Sequence, residues 1–318
     1  VTGPACDARR GGCSGHAGTA TMGRMPESHP AALTHPAAYP VLREVAPRYS
    51  DLGPDGSVSA TGVTRWFEDA RVGQELPAFR RLIEDGEFGA FRILLAAQSV
   101  ERLDHMPFDG KYRIGVGVRR VGGSSFTYGY AVFCDDRCVA LGSTVTVFAT
   151  DAGPAHLPDA LRTDLGGMVL DEPDAPAAYQ PGPERRDRSS YPFAVALRAR
   201  VGDIDTNRHV NNVTLVSWYA DGVAALHDEL LTSGWGGPPP ELAPAAYRVQ
   251  YVAEVGYPAQ YEIGVAVLGG DDDTVTYGLG VFLGDRCVGL ADAVGPRRAY
   301  DGTRLDATLL DGWRMIAP

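Results

Sequence analysis

The feature that most constrains this 318-residue chain is an internal repeat. Tyr39-Pro40, Arg48, Asp51 and Trp66-Phe67 recur as Tyr191-Pro192, Arg200, Asp203 and Trp218-Tyr219, at a constant offset of 152 residues. Further on the offset is 149 and holds again. Tyr112-Arg113-Ile114-Gly115-Val116 returns as Tyr261-Glu262-Ile263-Gly264-Val265, Thr127-Tyr128-Gly129 as Thr276-Tyr277-Gly278, and Arg137-Cys138-Val139 as Arg286-Cys287-Val288. One short deletion between the two sets accounts for the change. The chain therefore divides into a disordered N-terminal extension (1–37), a first domain (38–155), a Pro/Gly- and charge-rich linker (156–189) and a second domain (190–318).

Each half reads as one strand, one helix and then several strands. In the second half, strand-like alternation follows Tyr191 and the run Val213 to Leu231 is helical. Tyr247–Val255, Gln260–Leu268, Thr274–Leu283 and Arg286–Val294 are short Val- and Tyr-rich runs with turn residues between them. The helix carries Val213, Leu215, Val216, Trp218, Tyr219, Val223 and Leu226, so it is apolar around much of its circumference and must be buried on most sides. A curved antiparallel sheet wrapped around it satisfies that demand, an α+β arrangement.

Composition excludes several functions. No window approaches the roughly 18 consecutive apolar residues of a spanning helix, and the N-terminal region lacks a signal-peptide pattern, so a cytoplasmic location is expected. A formal charge of −11 opposes nucleic-acid binding, which needs a basic face. Nothing in the residues suggests a metal ion or a cofactor.

The densest polar stretch is Asp203-Ile204-Asp205-Thr206-Asn207-Arg208-His209-Val210-Asn211-Asn212, and it stops where the buried helix begins. Asn211 or Asn212 is the expected N-cap. Free backbone N–H groups and the helix dipole favour negative charge at such a place.

This motif between a strand and a buried helix with a Trp-Tyr pair resembles the hotdog-fold acyl thioesterases. The tandem arrangement, over about 39–318, resembles the plant-type acyl-acyl-carrier-protein thioesterases. The resemblance implies two tandem hotdog domains, each a long buried helix wrapped by a curved antiparallel sheet, paired with their sheets continuous and with acyl thioester sites between them. It places the family's Asp, Asn and His on Asp205, Asn207 and His209. A further acidic residue on the following strand falls on Glu254, within Tyr251-Val252-Ala253-Glu254-Val255-Gly256. Val255 stands where the family pattern has Cys, which rules out a cysteine nucleophile there. Substrate contacts are expected from Val210, Asn211, Asn212 and Trp218. The implied activity is hydrolysis of an acyl-carrier-protein or coenzyme A thioester, in fatty acid biosynthesis or related lipid metabolism. The tandem pair serves as a pseudo-dimer, alone or as a homo-oligomer of such pairs.

The chemistry can also be stated from the residues. Thioester hydrolysis needs an activated nucleophile and donors for the oxyanion. Asp205 or Glu254 serves as general base, or Asp205 attacks directly, while Asn207 and His209 orient the reacting groups. Two other readings stay open: a dehydratase or hydratase on an acyl thioester, built on a His–Asp pair without the HVNN continuation, and a non-catalytic acyl-thioester-binding protein. In the first half the equivalents of Asp205, Asn207 and His209 are Gly53, Asp55 and Ser57, and that of Glu254 is His105. The first copy is thus expected to be an inert partner, with Asp55, Ser57 and His105 as an alternative second site. Cys138 and Cys287 hold equivalent strand positions and read as packing residues. The clusters Arg119-Arg120, Arg185-Arg186-Arg188 and Arg297-Arg298 are candidates for gripping phosphates.

Overall fold

A computed structural model describes residues 31–84, 91–171, 179–231 and 237–316. The first half comprises β1 (Val41–Val45), α1 (Ala60–Glu84), β2 (Phe91–Arg102), β3 (Tyr112–Val121), β4 (Ser125–Cys134), β5 (Arg137–Thr150) and the short β6 (Gly153–Pro154). After α2 (Asp159–Gly166), the second half repeats the pattern. It has β7 (Phe193–Arg198), α3 (Asn212–Leu231), β8 (Ala246–Tyr251), β9 (Gln260–Gly270), β10 (Thr274–Leu283), β11 (Arg286–Pro296) and α4 (Ala307–Asp311).

All strands join one antiparallel sheet in the order β1-β3-β4-β5-β2-β8-β11-β10-β9-β7, with β6 beside β5. The internal order of one half is therefore that of the other. The halves meet through β2 and β8, where Ala97 faces Gln250, Ser99 faces Arg248 and Glu101 faces Ala246. Within each half the sheet curls around its helix, and α1 and α3 also touch each other.

Repeat residues recur because they solve the same packing problem twice. The Tyr39 ring lies over Gly115 and the Tyr191 ring over Gly264. A Cβ added at either glycine would come within 2.5 or 2.7 Å of the ring. Trp66 packs on Tyr112 with ring centroids 5.3 Å apart, and Trp218 on Tyr261 at 5.6 Å. Arg48 N–H donates to Asp51 at 2.9 Å and Arg200 N–H to Asp203 at 2.7 Å, so each half turns toward its helix through the same buried carboxylate.

Helix α3 buries Val213, Leu215, Val216, Trp218, Tyr219, Gly222, Val223, Leu226, His227 and Leu230, whose spacing covers more than half of its circumference. Gly222 allows β9 to approach, since a Cβ there would meet Ile263 at 2.8 Å. Cys287 is buried and Cys138 half-buried. Both thiols are free, and burial raises both, that of Cys138 to about 12.

Three expectations need correction. Residues 1–30 of the proposed disordered extension lie outside the described residues, but residues 31–38 form two turns of 3-10 helix. Leu33 is buried there and its carbonyl accepts the Tyr39 hydroxyl at 3.1 Å. The 156–189 stretch is not a free tether where it is described. Leu161 and Leu165 of α2 enter the core of the first half, and Val169 bridges in parallel to Val118 of β3. Finally, β8 ends at Tyr251 rather than Val255. Val252 and Ala253 both donate their N–H to the Val288 carbonyl, which breaks the ladder, so Glu254 stands in the irregular segment beyond the strand.

Candidate active site

The polar stretch forms a tight hairpin held by backbone hydrogen bonds. Ile204 bridges to Val210, Asp205 N–H donates to His209 O at 2.9 Å, and Arg208 N–H donates to Asp205 O at 3.0 Å. Arg208 takes the left-handed φ of 65° that closes the turn. The Asp205 carboxylate accepts the Asn207 N–H at 2.7 Å, an Asx turn. Val210 N–H reaches across to Val255 O at 2.8 Å and ties the hairpin to the segment that carries Glu254. Asn211 is the N-cap of α3: its side-chain oxygen accepts the Val213 N–H at 2.7 Å.

These contacts bring the sequence-predicted residues to one place. His209 Nε2 lies 3.2 Å from a Glu254 carboxylate oxygen, with both side chains partly exposed. Asp205, Asn207, His209, Val210, Asn212 and Glu254 all line one cleft of about 800 Å³. The cleft lies between the halves, because the first half supplies its other wall from α1, β2 and Val147 of β5.

Several residues at this junction of the halves escaped the sequence reading. Glu68 of α1 accepts the Asn211 side-chain amide at 2.9 and 3.2 Å on its two oxygens. Burial raises its carboxyl above the ordinary range, against the Asn211 bond that lowers it. Gln98 of β2 accepts from Asn212 at 3.1 Å and from the Tyr251 hydroxyl at 3.3 Å. Arg92, also on β2, stands 3.7 Å from Glu254 and donates to Asp151 at 3.3 Å. The one legible sign was a charged row at helical spacing, Glu68, Arg71 and Glu75, beside the apolar Trp66-Phe67 pair.

Other candidates are placed elsewhere. Trp218 is fully buried in the core and does not reach the cleft, because its position on α3 faces Tyr261 of β9. Asn211 spends its side chain on the α3 cap and on Glu68. Asp55, Ser57 and His105 do not form a second constellation. Ser57 is buried, accepts the Met106 N–H at 3.0 Å and takes the Asp55 carboxylate on its own N–H at 3.1 Å, while the His105 side chain is exposed. Of the arginine clusters, Arg185 is buried against Asp292 at 2.7 Å, and Arg297 against the Leu305 carbonyl at 2.7 Å. Neither can grip a phosphate.

The architecture is that of two hotdog units in tandem on one continuous sheet, with a polar cluster at the helix N-terminus of the second unit. Residues 187–233, which hold Asp205 to Asn212 and all of α3, match the acyl-ACP thioesterase C-terminal domain family. Among solved structures, the chain is similar to the 12:0-ACP thioesterase from Umbellularia californica. That match has a TM-score of 0.63 and 17% identity over 80% of this chain and 97% of the other. An acyl-ACP thioesterase from Bacteroides thetaiotaomicron matches with a TM-score of 0.61 and 13% identity, over 80% of this chain and 96% of that one. At such identities the likeness is one of fold, and it extends over both halves. No curated protein matches the chain in sequence.

Proposed function

We propose that this protein is a thioester hydrolase that releases a free acid from an acyl thioester, with acyl carrier protein as the carrier and its site in the second hotdog unit. The observation that carries this reading is the His209–Glu254 pair at 3.2 Å, set beside Asp205 and Asn207 on a cleft at the α3 N-terminus. Glu254 holds the imidazole through Nε2 and leaves Nδ1 to take a proton from water. Asp205, fixed by its Asx turn, stands as the second carboxylate, either drawing the proton itself or attacking the carbonyl. The Asn207 amide is a donor for the developing oxyanion. The family match over 187–233 supports the same activity, and lipid synthesis in the cytoplasm is the setting we assign to it. Among the described residues, no helix is long and apolar enough to cross a membrane.

The test is thiol release from a panel of acyl-carrier-protein and acyl-coenzyme A thioesters, comparing wild type with folded Asp205→Asn and His209→Ala. Loss of about 10²- to 10⁴-fold in both variants is expected. A folded wild type that binds acyl ligands but hydrolyses none would establish a binding protein instead. Faster turnover of coenzyme A thioesters than of carrier-protein thioesters would overturn the choice of carrier.

A further inference from the structure

The cleft does not end at the polar cluster. It continues along α1 of the first half, past Arg71 and Glu75 toward Phe79, Ile93 and Leu95. Glu68, which touches Asn211 beside the motif, marks the near end. Arg71 and Glu75 lie about 4 and 10 Å further along the helix axis, at 1.5 Å per residue. A cleft lined in this way suits an acyl chain whose thioester sits at His209, so this inference rests on the hydrolase reading.

A wall for a saturated chain needs no charge, yet this one holds an ion pair. Arg71 Nη1 donates to Glu75 at 2.9 Å, with the two side chains only 11% and 5% exposed. Their bonding capacity is far from used. Among the described residues, that contact is the single hydrogen bond of a guanidinium with five N–H donors, and its Nε has no partner. The second Glu75 oxygen has none either. Removing two charges from water is costly unless their remaining donors and acceptors are met. A hydrocarbon laid against the pair adds to that cost and meets nothing. An oxygen function meets it, and a hydroxyl meets both sides, accepting from Arg71 and donating to Glu75. Burial also pushes the Glu75 carboxyl up to about 7, so near neutrality it can offer a proton as well as accept one.

We infer that the acyl group accepted by this site carries a hydroxyl or keto oxygen partway along its chain, seated on the Arg71–Glu75 pair, and that hydroxyacyl thioesters are preferred over saturated ones of the same length.

The experiment compares chain-matched saturated, hydroxy and keto acyl-pantetheine thioesters, with the oxygen moved along the chain, on wild type and on the apolar double variant Arg71→Met/Glu75→Leu. Replacing a buried pair by apolar residues of similar volume is generally tolerated, and the fold of the variant is verified by circular dichroism. The wild type is expected to favour its best oxygenated substrate by about tenfold or more in kcat/KM, with an optimum position, and the double variant to reverse that order. Equal or better turnover of saturated chains by wild type would overturn the inference, as would a ratio that the double variant leaves unmoved. Binding of the corresponding non-hydrolysable thioethers, followed by calorimetry, separates this inference from the hydrolase reading. If no thioester is cleaved but hydroxyacyl thioethers bind more tightly, chain recognition stands and hydrolysis fails. If the thioethers show no preference, chain recognition fails whatever the activity.

Discussion

Removal of the Asn211 side chain should weaken the molecule at two points at once. Its oxygen caps α3 through the Val213 N–H at 2.7 Å, and its amide spans the two halves to both oxygens of Glu68. Loss of an Asn cap costs about 1 kcal/mol. A hydrogen bond to a charged group contributes about 1.5–3 kcal/mol, taken here at the lower end because Glu68 is only half-buried. Asn211→Ala should therefore lower the free energy of unfolding by about 2–3 kcal/mol, read from urea titrations at pH 7. Asn211→Asp retains an oxygen for the cap but sets a second carboxylate against Glu68, so it should be no more stable than the alanine variant. A double-mutant cycle of Asn211→Ala with Glu68→Ala, which removes the acceptor, should return a coupling of about 1 kcal/mol or more. A loss below about 0.5 kcal/mol in Asn211→Ala, or a coupling near zero, would refute the reasoning that this one amide joins cap and interface.

Other expectations are more compact. Glu254→Gln keeps the shape of the His209 partner but loses its charge, and should lower kcat by about tenfold to a hundredfold, less than His209→Ala in the same thiol-release assay. His105→Ala should leave thioester hydrolysis unchanged. Ser57→Ala should also leave it unchanged while costing about 1–3 kcal/mol in denaturant, because the Met106 N–H loses its buried acceptor. His227, buried with Nε2 at 2.8 Å from the Tyr277 hydroxyl, is held by desolvation at about 4 instead of 6.5. The unfolded chain takes up that proton first, so stability present above pH 6.5 is lost as the pH falls toward 4. The loss reaches about 3 kcal/mol, and the difference between wild type and His227→Phe across that window should report it.

The repeat offsets carried much of the architecture. The pairs that matched in sequence occupy matching places, Tyr39 over Gly115 as Tyr191 over Gly264, and the helical run expected from Val213 begins at Asn212. Period and composition report which residues share a face, and those signals were strong in α3 and in the Val- and Tyr-rich strands. They do not report which faces meet. Glu68 is 143 residues from Asn211, and Gln98 is 114 from Asn212, so no local pattern could join them. The end of β8 was misread for a related reason: the alternation runs on to Val255, while the ladder is broken by a carbonyl of β11 shared between two amides. Trp218 shows the opposite error. It was expected as a substrate contact, whereas the helical turn carries the indole into the core.

The β2–β8 seam has a consequence for how such a chain can vary. In a symmetric dimer every substitution is made twice, and a change that suits one cleft is imposed on its twin. Here the two sides of the seam are different stretches of one polypeptide. A polar residue such as Arg71 can be installed in the first half without appearing at its counterpart in the second, Val223. Covalent linkage also keeps the halves at high local concentration, so the seam does not depend on how dilute the protein is. The duplication therefore gives one cleft two independently adjustable walls, one free to hold chemistry and the other to follow the shape of what is bound.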